Sequence, residues 1–256
     1  LMSQERSVPA LQITGYQILS KLGQGGMGAV YKAKQVSMDR LVALKLLPAR
    51  LAQNKSYIDR FYQEARAAGR LNHENIVRAY DVGESSGLHF FSMEFIEGEN
   101  VQSLLRKQKQ LDEKLVLDIA LQIARALDHA HKHTLVHRDI KPENIMITVD
   151  GVAKLCDLGL AKDTSGDSSL TQVGTCVGTP HYIAPEQARG EANIDIRADI
   201  YSLGASMFHM LIGEPVFNGP SPAVVMTKHL TEPVPPPNSL RAEITQPTSS
   251  IILKCM

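Results

Sequence analysis

Cysteine is scarce in this 256-residue chain, and the little there is forms no pattern. Cys156, Cys176 and Cys255 are odd in number and far apart, which argues against a disulfide framework and fits no zinc-ligand spacing. That usage suits a reducing compartment. A charge excess is absent too: 27 Lys and Arg balance 27 Asp and Glu. Nothing in that balance favours a nucleic acid or an anionic membrane as partner. No apolar run approaches the roughly 20 residues that span a bilayer. Residues 1–15 carry Glu5, Arg6 and Pro9 without an apolar core, so they do not read as a signal peptide. Leu1 stands before Met2, so the chain reads as a piece of something longer.

What is present falls into two halves. Tyr16–Leu22, Ala29–Gln35 and Leu41–Leu47 are short β-prone runs separated by glycine and polar residues. Residues 57–71 place Ile58, Phe61, Tyr62, Ala65, Ala68 and Leu71 near helical spacing, and strands return at Ile76–Val82 and Leu88–Met93. After Gly98 the pattern turns helical. Val116, Ile119, Ala120, Ile123, Leu127 and Ala130 recur at three and four residues, with Asp112 as the expected N-cap. Asp150-Gly151 between Asn144–Thr148 and Val152–Cys156 predicts a type I′ hairpin. Asp163–Gly178 reads as a polar loop, Ile200–Ile212 as a buried helix, Val234–Pro237 as an irregular connector, and Ser249–Met256 as the start of another helix.

Several short motifs carry chemistry. Gly23-Gln24-Gly25-Gly26-Met27-Gly28 precedes Ala29-Val30, and glycines so spaced let a backbone approach phosphates closely. A dinucleotide-binding fingerprint would open a helix here, whereas Val30–Ala33 reads as a continuing strand; no G-K-[ST] supports a Walker A loop. Val42-Ala43-Leu44-Lys45 ends an apolar strand on a lysine, which by itself most often marks a strand end at the surface. The segment His137–Asn144 gathers a carboxylate (Asp139), a cation (Lys141) and an amide (Asn144) in one loop. Those are the groups that phosphoryl transfer to a hydroxyl requires. Asp157-Leu158-Gly159 and Ala184-Pro185-Glu186 follow in order. His129, His131 and His133 lie at a predicted helix end, where the dipole already favours them, and no motif of metal ligands accompanies them.

Taken together, residues 16–256 resemble the catalytic domain of eukaryotic-like serine/threonine protein kinases, most closely the bacterial branch. The resemblance implies an α+β, bilobal protein-kinase-like fold, with a small β-rich N-lobe carrying one helix and a larger helical C-lobe whose last helices are truncated. Residues 1–15 become an N-terminal extension, 16–93 the N-lobe, 94–99 the hinge and 100–256 the C-lobe. It implies ATP and Mg²⁺, with Mn²⁺ as a substitute, and protein substrates with Ser or Thr acceptors. Leu22, Gly23, Gln24, Gly25, Gly26, Met27, Gly28, Val30, Ala43, Lys45, Glu64, Met93, Glu94, Ile96 and Met146 would hold ATP. Lys45 would pair with Glu64, although Asp59 and Glu74 nearby keep a solvated helix face in view. Asp139 would orient the acceptor hydroxyl, Lys141 would sit at the transferred phosphoryl, and Asn144 and Asp157 would bind the metal. Asp199 would orient the catalytic-loop backbone.

Regulation follows from the same resemblance. Arg138 would pair with a phosphate on Thr171 or Thr175, Thr171 first, and Thr179 would form the substrate platform. A homodimer could serve trans-autophosphorylation. The expected location is the cytoplasm, or the cytoplasmic part of a larger, membrane-anchored protein. Cys156 reads either as a thiol facing the nucleotide near Lys45 or as a small packing residue. Glu186 would pair with an arginine beyond Met256, or with Arg189 or Arg197 in its place. A pseudokinase scaffold would lack Lys45, Asp139, Asn144 or Asp157, and a small-molecule kinase would lack Ala184-Pro185-Glu186.

Overall fold

The computed structural model describes residues 12–25, 28–157 and 180–256. Contacts divide the chain into two units. One runs to Arg70 and resumes at Val77–Ile96; the other takes Leu71–Ile76 and Glu97–Met256.

The first unit is an antiparallel sheet of β1 (Tyr16–Gly25), β2 (Gly28–Gln35), β3 (Arg40–Leu46), β4 (Ala79–Ser85) and β5 (Leu88–Glu94), in the order β1-β2-β3-β5-β4. Side chains alternate across a strand, so the register decides what shares a face. Tyr31, Ala33, Val42, Leu44, Leu46 and Phe90 fall on one face and form a core with Ile13. The opposite face carries Val30, Ala43, Lys45, Phe91 and Met93. Helix α1 (Lys55–Gly69) begins two residues before the expected start because Asn54 caps it, accepting the Ser56 N–H at 2.9 Å. Strand β4 begins at Ala79, not Ile76. Asn75 and Ile76 are held elsewhere: the Asn75 carbonyl accepts the Leu155 N–H at 2.8 Å, and Ile76 bridges Leu155 in parallel.

The second unit contains β6 (Gly98–Asn100), α2 (Val101–Gln108), α3 (Glu113–Lys132), β7 (Ile145–Thr148), β8 (Ala153–Leu155), α4 (Pro185–Ala188), α5 (Ile196–Ile212), α6 (Pro222–Thr231), α7 (Pro237–Leu240) and α8 (Gln246–Cys255). Asp112 caps α3 as expected, accepting the Lys114 N–H at 2.9 Å. Helix α5 is buried nearly all round and packs against α3 and α8. It starts four residues before the expected Ile200, at the Asp195 cap, which puts Asp199 in its first turn. The β7–β8 hairpin is not type I′. Only Gly151 of the pair has positive φ, at 82°, and its N–H reaches the Thr148 carbonyl at 3.0 Å. Val149-Asp150 therefore make a right-handed turn and Gly151 takes the left-handed position that closes a longer loop. Helices α2, α6 and α7 had no counterpart in the sequence pattern.

Candidate active site

In the first unit, strand alternation turns Lys45 inward from β3, and the 3.6-residue period turns Glu64 inward from α1. They meet at 2.9 Å, with side chains 7% and 6% exposed. Asp59 and Glu74 are exposed. The pair belongs to Glu64, and the surface-cap reading of Lys45 falls. Val30, Ala43 and Met93 lie on the same sheet face as Lys45. The Glu94 N–H goes to the Arg78 carbonyl at 2.9 Å and so is not open to a base edge; Ile96 follows, buried. Leu22 is half-exposed at a register shift in β1, and Gly23, Gln24 and Gly25 carry that strand to its end opposite Gly28. Gly28 has φ +138°, and a Cβ there would lie 2.0 Å from the Leu46 carbonyl oxygen. A glycine is thus required by strand packing, besides any use toward phosphates. Gly26 and Met27 lie outside the described residues.

In the second unit, the loop after α3 is held by one buried carboxylate. Asp199, 1% exposed, accepts the His137 N–H at 2.8 Å and the Arg138 N–H at 2.7 Å. Burial pushes this carboxyl up; His137 and the two N–H groups oppose that. His137 is itself buried. Its Nε2 faces the Cys156 carbonyl at 3.2 Å and its Nδ1 faces the Asp139 N–H at 3.3 Å. A carbonyl can only accept and an N–H can only donate, so the ring is neutral with its proton on Nε2. Burial, which lowers the imidazole pKa, agrees. Arg138 takes φ +64°, a conformation that needs such anchoring.

The functional groups project from this frame. Lys141 Nζ donates to Asp139 Oδ2 at 2.8 Å. Asn144, buried, donates from Nδ2 to the Asp139 carbonyl at 2.8 Å and to Oδ2 at 3.2 Å. The amide's oxygen is then the atom it can offer a cation. The Asn144 carbonyl accepts the Cys156 N–H at 2.9 Å, which brings the end of β8, and Asp157 after it, beside this loop. Asp157 is exposed with φ +54°. An amide oxygen and a carboxylate suit a hard cation that keeps waters and takes further oxygens from phosphates, so the donors fit magnesium. The Cys156 thiol donates to the Asn144 carbonyl at 3.2 Å. Met146 lies on β7, opposite Asn100 and Lys154.

The remaining expectations divide. Thr171, Thr175 and Thr179, with Leu158 and Gly159, lie outside the described residues. Arg189 pairs with Glu191; Arg197 pairs with Asp195 and also feels the charge of Glu186. The His129 ring lies between those of His73 and His133, tilted to both, at centroid distances of 5.2 and 4.5 Å. One contributor had no assigned role. Gln187 donates from Nε2 to the Arg138 carbonyl at 3.0 Å. The only signal was its place in the first turn of a helix opened by Pro185, where a Gln reaches back to the cap.

A model of the protein kinase domain matches residues 16–255. A probable serine/threonine-protein kinase of Clostridium acetobutylicum is 37% identical over 241 residues, covering 94% of this chain and 36% of that protein. The serine/threonine-protein kinase PknB of Mycolicibacterium smegmatis is 37% identical over 248 residues, covering 94% and 39%. The chain thus spans little more than a third of these relatives' length. Among solved structures, a point mutant of the PknI kinase domain of Mycobacterium tuberculosis matches with a TM-score of 0.74 at 26% identity, over 98% of this chain and 91% of that one.

Proposed function

This chain belongs to the protein kinase family, and from that premise we propose that it transfers the γ-phosphoryl of ATP to Ser and Thr hydroxyls of proteins. The observation that carries this reading is the Asp139 carboxylate, fixed by Lys141 and Asn144 on a backbone clamped by Asp199. Phosphoryl transfer asks the protein for positioning and charge more than for covalent chemistry. Asp139 orients the acceptor hydroxyl and receives its proton. Lys141 sets a cation where charge develops on the phosphoryl in flight. Lys45, pointed by Glu64, holds the α- and β-phosphates. Val30, Ala43, Met93 and Met146 offer apolar surface to the base, and the Glu94 carbonyl and Ile96 backbone its polar edge. Magnesium, held through Asn144 and Asp157, would neutralise phosphate charge. Manganese suits the same oxygens.

The finer assignments are part of this proposal. Residues 16–93, 94–99 and 100–256 act as N-lobe, hinge and C-lobe. Phosphate on Thr171 or Thr175 pairs with Arg138 and activates the enzyme, by transfer between two copies of the chain. Thr179 lies on the substrate platform. The domain works in the cytoplasm, free or as part of a membrane-anchored protein; no helix among the described residues is long and apolar enough to cross a membrane.

The test is phosphate incorporation from Mg-ATP into a generic protein substrate, with mass spectrometry of the enzyme. Asp139→Asn and Asp157→Asn should each lower turnover by orders of magnitude with the fold intact, and the double variant should fall little further, because the residues act as a unit. Most turnover surviving in Asp139→Asn overturns the mechanism; survival in Asp157→Asn overturns the metal assignment. No turnover by the unaltered protein would favour a scaffold.

A further inference from the structure

The peptide unit between Arg138 and Asp139 is gripped on both sides. Its N–H, on Asp139, is given to His137 Nδ1 at 3.3 Å. Its carbonyl, on Arg138, accepts from Gln187 Nε2 at 3.0 Å. Gln187 has a second bond: its Oε1 accepts the Ala184 N–H at 3.2 Å. Only one orientation of the amide satisfies both partners, since the carbonyl must be met by the NH₂ and the N–H by the oxygen. Ala184 has no side chain to cap α4, so Gln187 supplies that end's one side-chain bond. Gln187 therefore ties the Ala184-Pro185-Glu186 segment to the residue immediately before Asp139. The tie spans 49 residues of chain.

Arg138 is where such a tie has leverage. Its φ of +64° is costly for a non-glycine residue and persists only if the surroundings determine it. Asp199 holds the N–H side of that residue and Gln187 the carbonyl side. Releasing the carbonyl lets the peptide plane rotate, and Asp139 rotates with it, since that plane carries its nitrogen.

The geometry points to Gln187 as a positioning residue for Asp139, coupling the Ala184–Ala188 segment to the aim of the catalytic carboxylate. This rests on the kinase reading above. It adds a route by which whatever engages the segment ending at Ala184 can be felt at the reacting group, through one side chain.

Two substitutions separate the tie from the cap. Glu at 187 can still accept the Ala184 N–H but presents only acceptors to the Arg138 carbonyl; Met is near in volume and makes neither bond. Both Gln187→Glu and Gln187→Met should lower kcat roughly 10- to 100-fold, the scale of a misaimed catalytic group, with KM for ATP nearly unchanged. Amide hydrogen exchange in residues 137–141 should quicken in both variants and stay unaltered in α1 and β5. Wild-type kcat in both variants overturns the proposal. So does faster exchange without loss of kcat. A loss in Gln187→Met that Gln187→Glu restores, with a matching recovery of Tm, would show a cap alone and also overturns it. The kinase reading fails separately, if the unaltered protein turns over no faster than Asp139→Asn. Exchange then still decides the tie, and unchanged protection of residues 137–141 in both variants refutes it.

Discussion

A lysine and a glutamate buried to 7% and 6% exposure are an expensive pair to keep. Two ions have left water, and their attraction returns that cost only while both are present. Lys45→Met takes the buried cation away from the Glu64 carboxylate, and the expected cost is about 3–5 kcal/mol. Replacing both at once, Lys45→Met with Glu64→Met, should cost far less than the sum and come out near neutral. Denaturant unfolding of the two singles and the double measures this, and additive losses would show that the pair does not interact in solution. Lys45 is the residue proposed to hold phosphates, so the double variant should lose activity even where stability returns. The same contrast explains what could be read at this scale. Lys45, Asp139, Asn144 and Asp157 stand in motifs whose spacing belongs to the chemistry. His137 and Gln187 act by hydrogen bonds to backbone groups, and a backbone group has no letter in a sequence.

Elements with a strong period were legible to within a few residues. Short β-prone runs bounded by glycine and polar residues located β2, β3 and β5, and the three-four spacing located α3 with its Asp112 cap. Short helices were not, because α7 has four residues and α2 eight, too few turns to show a period. The β7–β8 turn was misjudged because Asp-Gly fits two loop geometries, and only the φ of Asp150 tells them apart. Strand packing gives the glycine loop two separable roles. Gly28→Ala forces a Cβ against the Leu46 carbonyl at positive φ and should cost at least about 1–3 kcal/mol of first-unit stability. Gly23→Ala meets nothing within 4 Å and should leave unfolding unchanged, so any loss of ATP affinity there would report close approach of phosphates. Equal destabilisation by both would contradict this division. Asp112→Ala should cost about 1 kcal/mol through the lost α3 cap, read by the same unfolding experiment.

At the scale of the chain, the order of the motifs was legible and the ties between them were not. Asp199 reaches back 62 residues to His137, Tyr182 forward 27 to His209, and Tyr201 forward 28 to His229. Nothing local marks such partners. The two tyrosine–histidine ties bear on how the protein answers acid. Tyr182 Oη lies 2.6 Å from His209 Nδ1, and Tyr201 Oη lies 2.7 Å from His229 Nδ1. Burial pushes both phenols up, so each stays protonated and donates, and each imidazole accepts as the neutral ring. Burial drives both histidines down to about 4. The charge of His181 opposes protonation of His209, while at His229 a hydrogen bond to the His181 backbone favours it and outweighs the same charge. The unfolded chain, with histidines near their ordinary 6.5, binds more protons than the folded one between pH 6.5 and 4. Stability is therefore full above pH 6.5 and falls as the pH drops through that window, by up to about 1.4 kcal/mol per pH unit for each histidine. His137, lowered by burial, adds to the same slope. Carboxylates held low, such as Glu113 by Thr245 and Thr248, begin to matter only below about pH 4.5, near the ordinary carboxylate range. From about pH 6.5 to about pH 5 the histidines set the slope, and Asp199, whose carboxyl burial raises, opposes it in part. Unfolding free energies measured at about pH 7 and about pH 5 should differ by several kcal/mol, and His209→Gln and His229→Gln should each flatten the dependence. A protein equally stable at both values would mean that these rings are charged in the fold and that the phenols accept from them.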